Sequence, residues 1–135
     1  MEFHLDPNIQ ISKLKEQFNY AFPYLKIEFF SQAHEEFHVS NRKHLINNQD
    51  TPLSELSDKV PHELLILDPH MKVKEFEALM EDSFGLHIQI FRKSGHNWLA
   101  TSVTDSLTLK EQNEKGMESI NRPVAKEPMD YREQD

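Results

Sequence analysis

His34-Glu35-Glu36-Phe37-His38 is the stretch of this chain whose residue types and spacing point most directly to chemistry. It fits the pattern H-E-x-x-H, and His44 follows His38 with Asn41 between them. On a helix, two imidazoles one turn apart would hold Zn²⁺ from one face. His44 would complete the metal site, and Glu35 would serve as the base acting on metal-bound water. Asn41 would tolerate the left-handed turn that such a string needs. Read as a bare pattern, His34, Glu35, His38 and His44 describe a zinc-dependent hydrolase.

The second candidate group is Phe91, Arg92, Lys93 and Trp98. Arg92 and Lys93 stand beside Ser94-Gly95, with His96 and Asn97 following, and two cations at a turn can contact an anion. Phe91 and Trp98 add aromatic surface of the kind that anchors protein partners. Other combinations are weaker. Thr101, Thr104 and Asp105 offer hydroxyls near an acid, but threonine is an ordinary strand residue. The acidic pairs Glu35-Glu36 and Glu81-Asp82 suit exposed turns or helix ends better than acid–base work. Three glycines in all leave no glycine-rich phosphate loop. With no cysteine there are no disulfides, thiolate nucleophiles or Cys-based zinc sites.

The elements that must position these residues follow an internal pattern. Leu5-Asp6-Pro7 recurs as Leu67-Asp68-Pro69, and at the same offset Ile9, Ile11, Leu14, Phe18 and Phe22 fall on Met71, Val73, Phe76, Met80 and Phe84. With a slip of one residue, Leu25, Ile27, Phe29 and Phe30 fall on Leu86, Ile88, Ile90 and Phe91, and Phe37 on Trp98. Each unit reads as strand, helix, strand, strand. The first strands are Glu2 to Leu5 and Leu64 to Leu67. Aspartate followed by proline then opens a helix, the carboxylate capping its free N–H groups. The helices carry Ile11, Leu14, Phe18 and Ala21 in one unit and Val73, Phe76, Met80 and Phe84 in the other, each spaced for one buried face. Pro23 and Gly85 stop them.

The following stretches alternate with period two, Leu86, Ile88 and Ile90 on one face and Phe91 on the other. Ser94-Gly95 as a two-residue hairpin turn pairs Phe91 with Trp98, Ile90 with Leu99, Ile88 with Thr101 and Leu86 with Val103. Phe30, Phe37, Phe91 and Trp98 then form an outer aromatic patch. It is costly in water at ~25 cal/mol per Å², so either the units bury it together or another chain covers it. Asn41 to Asp58 reads as a polar loop with a helical turn at Leu53 to Leu56.

This framework argues against the metal site. His34-Glu35 would fall at a hairpin and Phe37-His38 on a strand. Along a strand, positions i and i+4 lie about 13 Å apart, too far for both imidazoles to reach one zinc at ~2.0–2.1 Å. The string also resembles the extended zinc signature of the metzincin proteases, with asparagine where glycine is commoner. The stretch before it is short for their usual sheet, and Met71 falls at the start of the second helix rather than in a Met-turn.

Phe84-Gly85-Leu86, Phe91-Arg92-Lys93-Ser94-Gly95, Trp98-Leu99 and Thr108-Leu109-Lys110-Glu111-Gln112-Asn113 resemble a family of small bacterial proteins without an assigned function. The resemblance covers residues 64–116 and extends less clearly to Phe22 through Phe30. It implies a small α+β domain in a bacterial cytoplasm and carries over no catalytic residues.

Composition bounds the rest. A hydrophobic fraction of 37% is low for a wholly packed chain of 135 residues. Residues 114–135 are polar and read as a disordered or loosely packed tail. The net charge of −8 disfavours broad binding to nucleic acid or anionic membranes. No apolar run is long enough to span a bilayer, and the N-terminus has no signal-peptide core, so the expected location is the cytoplasm. The expectation is one α+β domain over 1–113, built from two tandem β-α-β-β units (1–61 and 62–113). Its expected role is that of a non-enzymatic protein-interaction or adaptor module with no cofactor. Its partner would be another protein or a second copy, met through Phe91, Arg92, Lys93 and Trp98. The zinc hydrolase is the alternative.

Overall fold

The computed structural model describes residues 2–33 and 42–121. Along the chain come β1 (Glu2–Leu5), α1 (Ile11–Ala21), β2 (Leu25–Phe30), β3 (Glu63–Ile66), α2 (Val73–Phe84), β4 (His87–Ser94), β5 (Asn97–Ala100) and α3 (Leu109–Asn121), with single 3-10 turns at Arg42–His44 and Leu53–Glu55. The fold is α+β. Two antiparallel sheets form, β1–β3 and β2–β4–β5. No helix among the described residues is long and apolar enough to cross a membrane.

The helix stripes are buried as their spacing requires. Ile11, Leu14 and Phe18 of α1 join Val73, Phe76, Met80 and Phe84 of α2 in one core with Leu25, Ile27, Phe29, Ile88 and Ile90 from the larger sheet. At its centre Phe76 stacks on Phe18 with ring centroids 5.6 Å apart, and Phe3 of β1 closes on both.

The helices begin later than the Asp-Pro signals indicate. Asp6 and Asp68 cap no helix. Their carboxylates accept the N–H groups of Asn8 and His70 two residues on, the side-chain-closed turn that aspartate favours. Gln10 and Lys72 stay extended, bridging Pro52 and Thr108. The first-turn donors of α1 then find backbone carbonyls from a distant loop: Ile11 donates to Thr51 and Ser12 to Gln49. In α2, Val73 donates to Leu107 and Lys74 to Asp105. Carbonyls thus satisfy N–H groups that a side chain would otherwise cap. The stretch before Asp58, read from composition as a polar loop, is what closes the start of α1.

Similar contacts recur at other positions matched by the sequence offsets. Leu53 donates to Ile9 and Leu109 to Met71; Ser54 donates to Pro7 and Lys110 to Pro69. The β1–β3 ladder includes the pair Phe3 and Leu65, and the β2–β4 ladder the pair Glu28 and Gln89. Both are pairs that the sequence offsets equate. Leu45 bridges Phe30 just as Ala100 pairs with Phe91.

The hairpin register differs from the expected one. Phe91 pairs with Ala100, Arg92 with Leu99 and Lys93 with Trp98, so the turn is Gly95-His96 rather than Ser94-Gly95. Gly95 has φ 63 and nothing within 4 Å of where a Cβ would sit. Its left-handed backbone therefore fixes the turn here, without help from crowding. The shift is by two residues, so each side chain keeps its face.

The chain after residue 113 does not loosen at once. Helix α3 runs on to Asn121 and packs against β4. Gly116 lies so close to Tyr24, just before β2, that a Cβ there would meet Tyr24 Cβ at 2.8 Å and its carbonyl oxygen at 3.0 Å. Ser119 is buried as well. Small residues, invisible to an apolar count, let this polar helix dock. Residues 122–135, the rest of the expected tail, lie outside the described residues.

Candidate functional site

Strand parity decides which candidate residues meet. Pairing places Lys26, Glu28 and Phe30 of β2, Gln89, Phe91 and Lys93 of β4, and Trp98 and Ala100 of β5 on one face of the larger sheet. Leu25, Ile27, Phe29, Ile88, Ile90, Arg92 and Leu99 take the other, which carries the core. Phe91, Lys93 and Trp98 are thus brought together. Arg92 is not: it sits on the opposite face and is 1% exposed. It therefore leaves the proposed contact surface, because a residue next in sequence on a strand points to the other side.

On the outer face Trp98 is half-buried, with the Lys93 ammonium 4.8 Å from its ring centroid and the Lys26 ammonium 5.0 Å away. Lys26 also lies 5.4 Å from the Phe91 ring. Each such cation–π contact contributes about 0.5–1 kcal/mol at an exposed site. Phe91 and Phe30 are 5% and 4% exposed, so of the expected aromatic patch Trp98 is the part that faces outward. Phe37, its fourth member, lies outside the described residues.

The platform is braced from several sides. Lys26 lies 3.6 Å from Glu28, which also pairs with Lys15 of α1. Lys15 in turn donates to Gln49. On β4, the Glu77 carboxylate of α2 accepts the Ile90 N–H at 3.0 Å and the Gln89 amide at 3.3 Å. Helix α3 holds the hairpin. The Ser119 hydroxyl accepts the Gly95 N–H at 3.1 Å and lies 3.1 Å from the Lys93 carbonyl, while the Asn113 side chain accepts the Tyr24 N–H. A rigid aromatic ring between two ammonium groups suits carboxylate-bearing partners with an apolar or aromatic component.

Lys26 and α3 are the parts of the site that sequence reasoning missed. Lys26 arrives by β2–β4 pairing, and the match of Leu25, Ile27, Phe29 and Phe30 with Leu86, Ile88, Ile90 and Phe91 hinted that these strands are counterparts without saying that they pair. The polar composition of α3 gave no sign that Ser119 would brace the hairpin.

Of the zinc string, His34, Glu35 and His38 lie outside the described residues. His44 is half-buried in the 3-10 turn Arg42–His44, its carbonyl accepting the Ser31 N–H. Among the described residues no three His, Asp or Glu side chains gather as a metal site. The threonines near Asp105 serve the backbone. The Thr101 hydroxyl donates to the Ile90 carbonyl, and Thr104 accepts the Gln112 amide through both its carbonyl and its hydroxyl. Glu81 pairs with His87 at 2.6 Å. No family model, curated protein or solved structure matches this chain.

Proposed function

We propose that this chain is a non-enzymatic protein-interaction module, and that Trp98 with Lys26 and Lys93 forms its contact surface for an acidic segment of a partner protein. The observation that carries this reading is the tryptophan bracketed by two ammonium groups on a chain whose net charge is −8. Among the described residues no carboxylate pairs with Lys93, so its charge is available to an incoming anion. The overall negative charge repels acidic partners at a distance, which makes local geometry the selector. It also weighs against broad nucleic-acid binding.

The same reading takes the chain as a cytoplasmic member of the small bacterial α+β family it resembles, with two copies of one β-α-β-β unit forming the domain. The recurring loop-to-helix hydrogen bonds, and ladders that each pair two residues matched by the sequence offsets, support that duplication.

Trp98 is the sole tryptophan and reports on its own surface. Titration with a glutamate-rich peptide carrying one tyrosine should change its fluorescence saturably, while a lysine-rich peptide should not. Lys93→Glu should abolish the response without altering the circular dichroism spectrum. Equal responses to both peptides, or an unchanged response in Lys93→Glu, would overturn the proposal.

A further inference from the structure

The smaller sheet has two edges, and the chain treats them differently. On β1, the Gln17 side chain donates to the His4 carbonyl and accepts the His4 N–H, at 3.3 and 2.7 Å. It thereby does for that edge what a neighbouring strand would do. Since the peptide groups of His4 point away from β3, the pairs Phe3–Leu65 and Leu5–Glu63 carry the ladder bonds. It follows that Leu64 and Ile66 of β3 turn their N–H and C=O groups to the far edge.

No strand among the described residues pairs with that edge. The position corresponding to Gln17 in the second half is Leu79, which has no polar group to offer. The side chains of Leu64 and Ile66 are themselves 45% and 64% exposed, among the most exposed large apolar residues described. An open edge with exposed aliphatic side chains is a template for another strand.

The segment His62-Glu63-Leu64-Leu65-Ile66-Leu67-Asp68 is complementary to itself. Run antiparallel about Leu65, it sets Leu64 against the partner's Ile66 and Ile66 against the partner's Leu64. All four residues are in outward-facing positions that can exchange backbone hydrogen bonds. The same register sets His62, which lies 3.2 Å from Asp6 of its own chain and is exposed, opposite the partner's Asp68 at each end. Sliding by two residues either way breaks the match, placing Ile66 against the partner's His62 or Leu64 against the partner's Asp68.

We infer that β3 is a homodimerisation edge, pairing antiparallel with β3 of a second copy to make a continuous four-stranded sheet β1–β3–β3–β1. The surface is separate from the Trp98 platform, which lies on the other sheet.

Sedimentation equilibrium of the full chain should show a dimer, with a dissociation constant on the order of 10–100 μM, as suits an interface below standard size. Ile66→Lys should return it to monomer. Leu64→Pro should do the same, because it removes an outward N–H and leaves the bonds to β1 untouched. In the wild type, hydrogen exchange at the Leu64 and Ile66 amides should slow as protein concentration rises, a readout that needs no variant to fold. A wild type that stays monomeric at high concentration would overturn the inference. So would exchange at those amides independent of concentration, or a dimer that persists in Ile66→Lys and is lost in Trp98→Ala.

Discussion

Gly85→Ala tests the joint between the end of α2 and the segment that follows the Leu53–Glu55 turn. Gly85 has φ 67, and the chain closes the helix there with Gly85 donating to the Glu81 carbonyl and Leu86 to the Met80 carbonyl. This is the left-handed termination that glycine makes cheaply. Alanine would hold that conformation at a cost of about 1–2 kcal/mol. Its Cβ would also meet Ser57 Oγ at 2.5 Å and Ser57 Cβ at 3.3 Å. Relief requires the serine to swing away and release the Lys59 N–H it now accepts at 3.0 Å, a further loss of about 0.5–1.5 kcal/mol. The total is about 1.5–3.5 kcal/mol, read as a lower urea midpoint with unchanged slope. In Gly85→Ala/Ser57→Ala the hydroxyl is gone, so only the backbone part should add to the effect of Ser57→Ala. The cycle should then show a coupling of about 1 kcal/mol. A loss under about 0.5 kcal/mol in Gly85→Ala, or strict additivity of the two changes, would refute this account.

The entry to α3 should respond to acid. Thr108 and Glu111 form a reciprocal cap, the Glu111 carboxylate accepting the Thr108 N–H and the Thr108 hydroxyl accepting the Glu111 N–H. These bonds hold the Glu111 carboxyl below its ordinary value. Its contribution to stability is therefore present above the unfolded value and lost as pH falls through the lower folded one, so the difference in urea midpoint between wild type and Glu111→Gln should shrink over that range. Ser119→Ala leaves the Gly95 N–H without its hydroxyl acceptor and should speed exchange of that amide roughly fivefold, for a bond of about 1 kcal/mol. Phe76→Ala removes the ring at the centre of the aromatic core and should cost about 3–5 kcal/mol in denaturant titration. A cost below about 2 kcal/mol would mean that the site collapses around the gap.

Local periodicity made much of this fold legible. Four apolar residues at three- and four-residue spacing identified the buried faces of α1 and α2, and alternation from Leu86 to Phe91 identified β4. These signals survive because the face a side chain occupies is set within one or two turns of its own backbone. Parity along β4 also implied that Arg92 shares the face of Ile88 and Ile90. The reading of two adjacent cations as one site overlooked it.

Other features depend on atoms far away in sequence. Helices α1 and α2 begin at Ile11 and Val73 because carbonyls of residues 49–51 and 105–107 take their first N–H groups; the one local cap, Glu75 accepting the Lys72 N–H in α2, does not announce those distant partners. Helix α3 docks through Gly116 and Ser119, whose value lies in how near Tyr24 and Lys93 can come rather than in hydrophobicity. Lys26 reaches Trp98 by strand pairing across most of the chain. Sequence by itself determined which apolar residues face inward on α1, α2 and β4. Tertiary structure decided which elements become neighbours, because hydrogen-bond partners, close approach and charge pairing are properties of two segments at once.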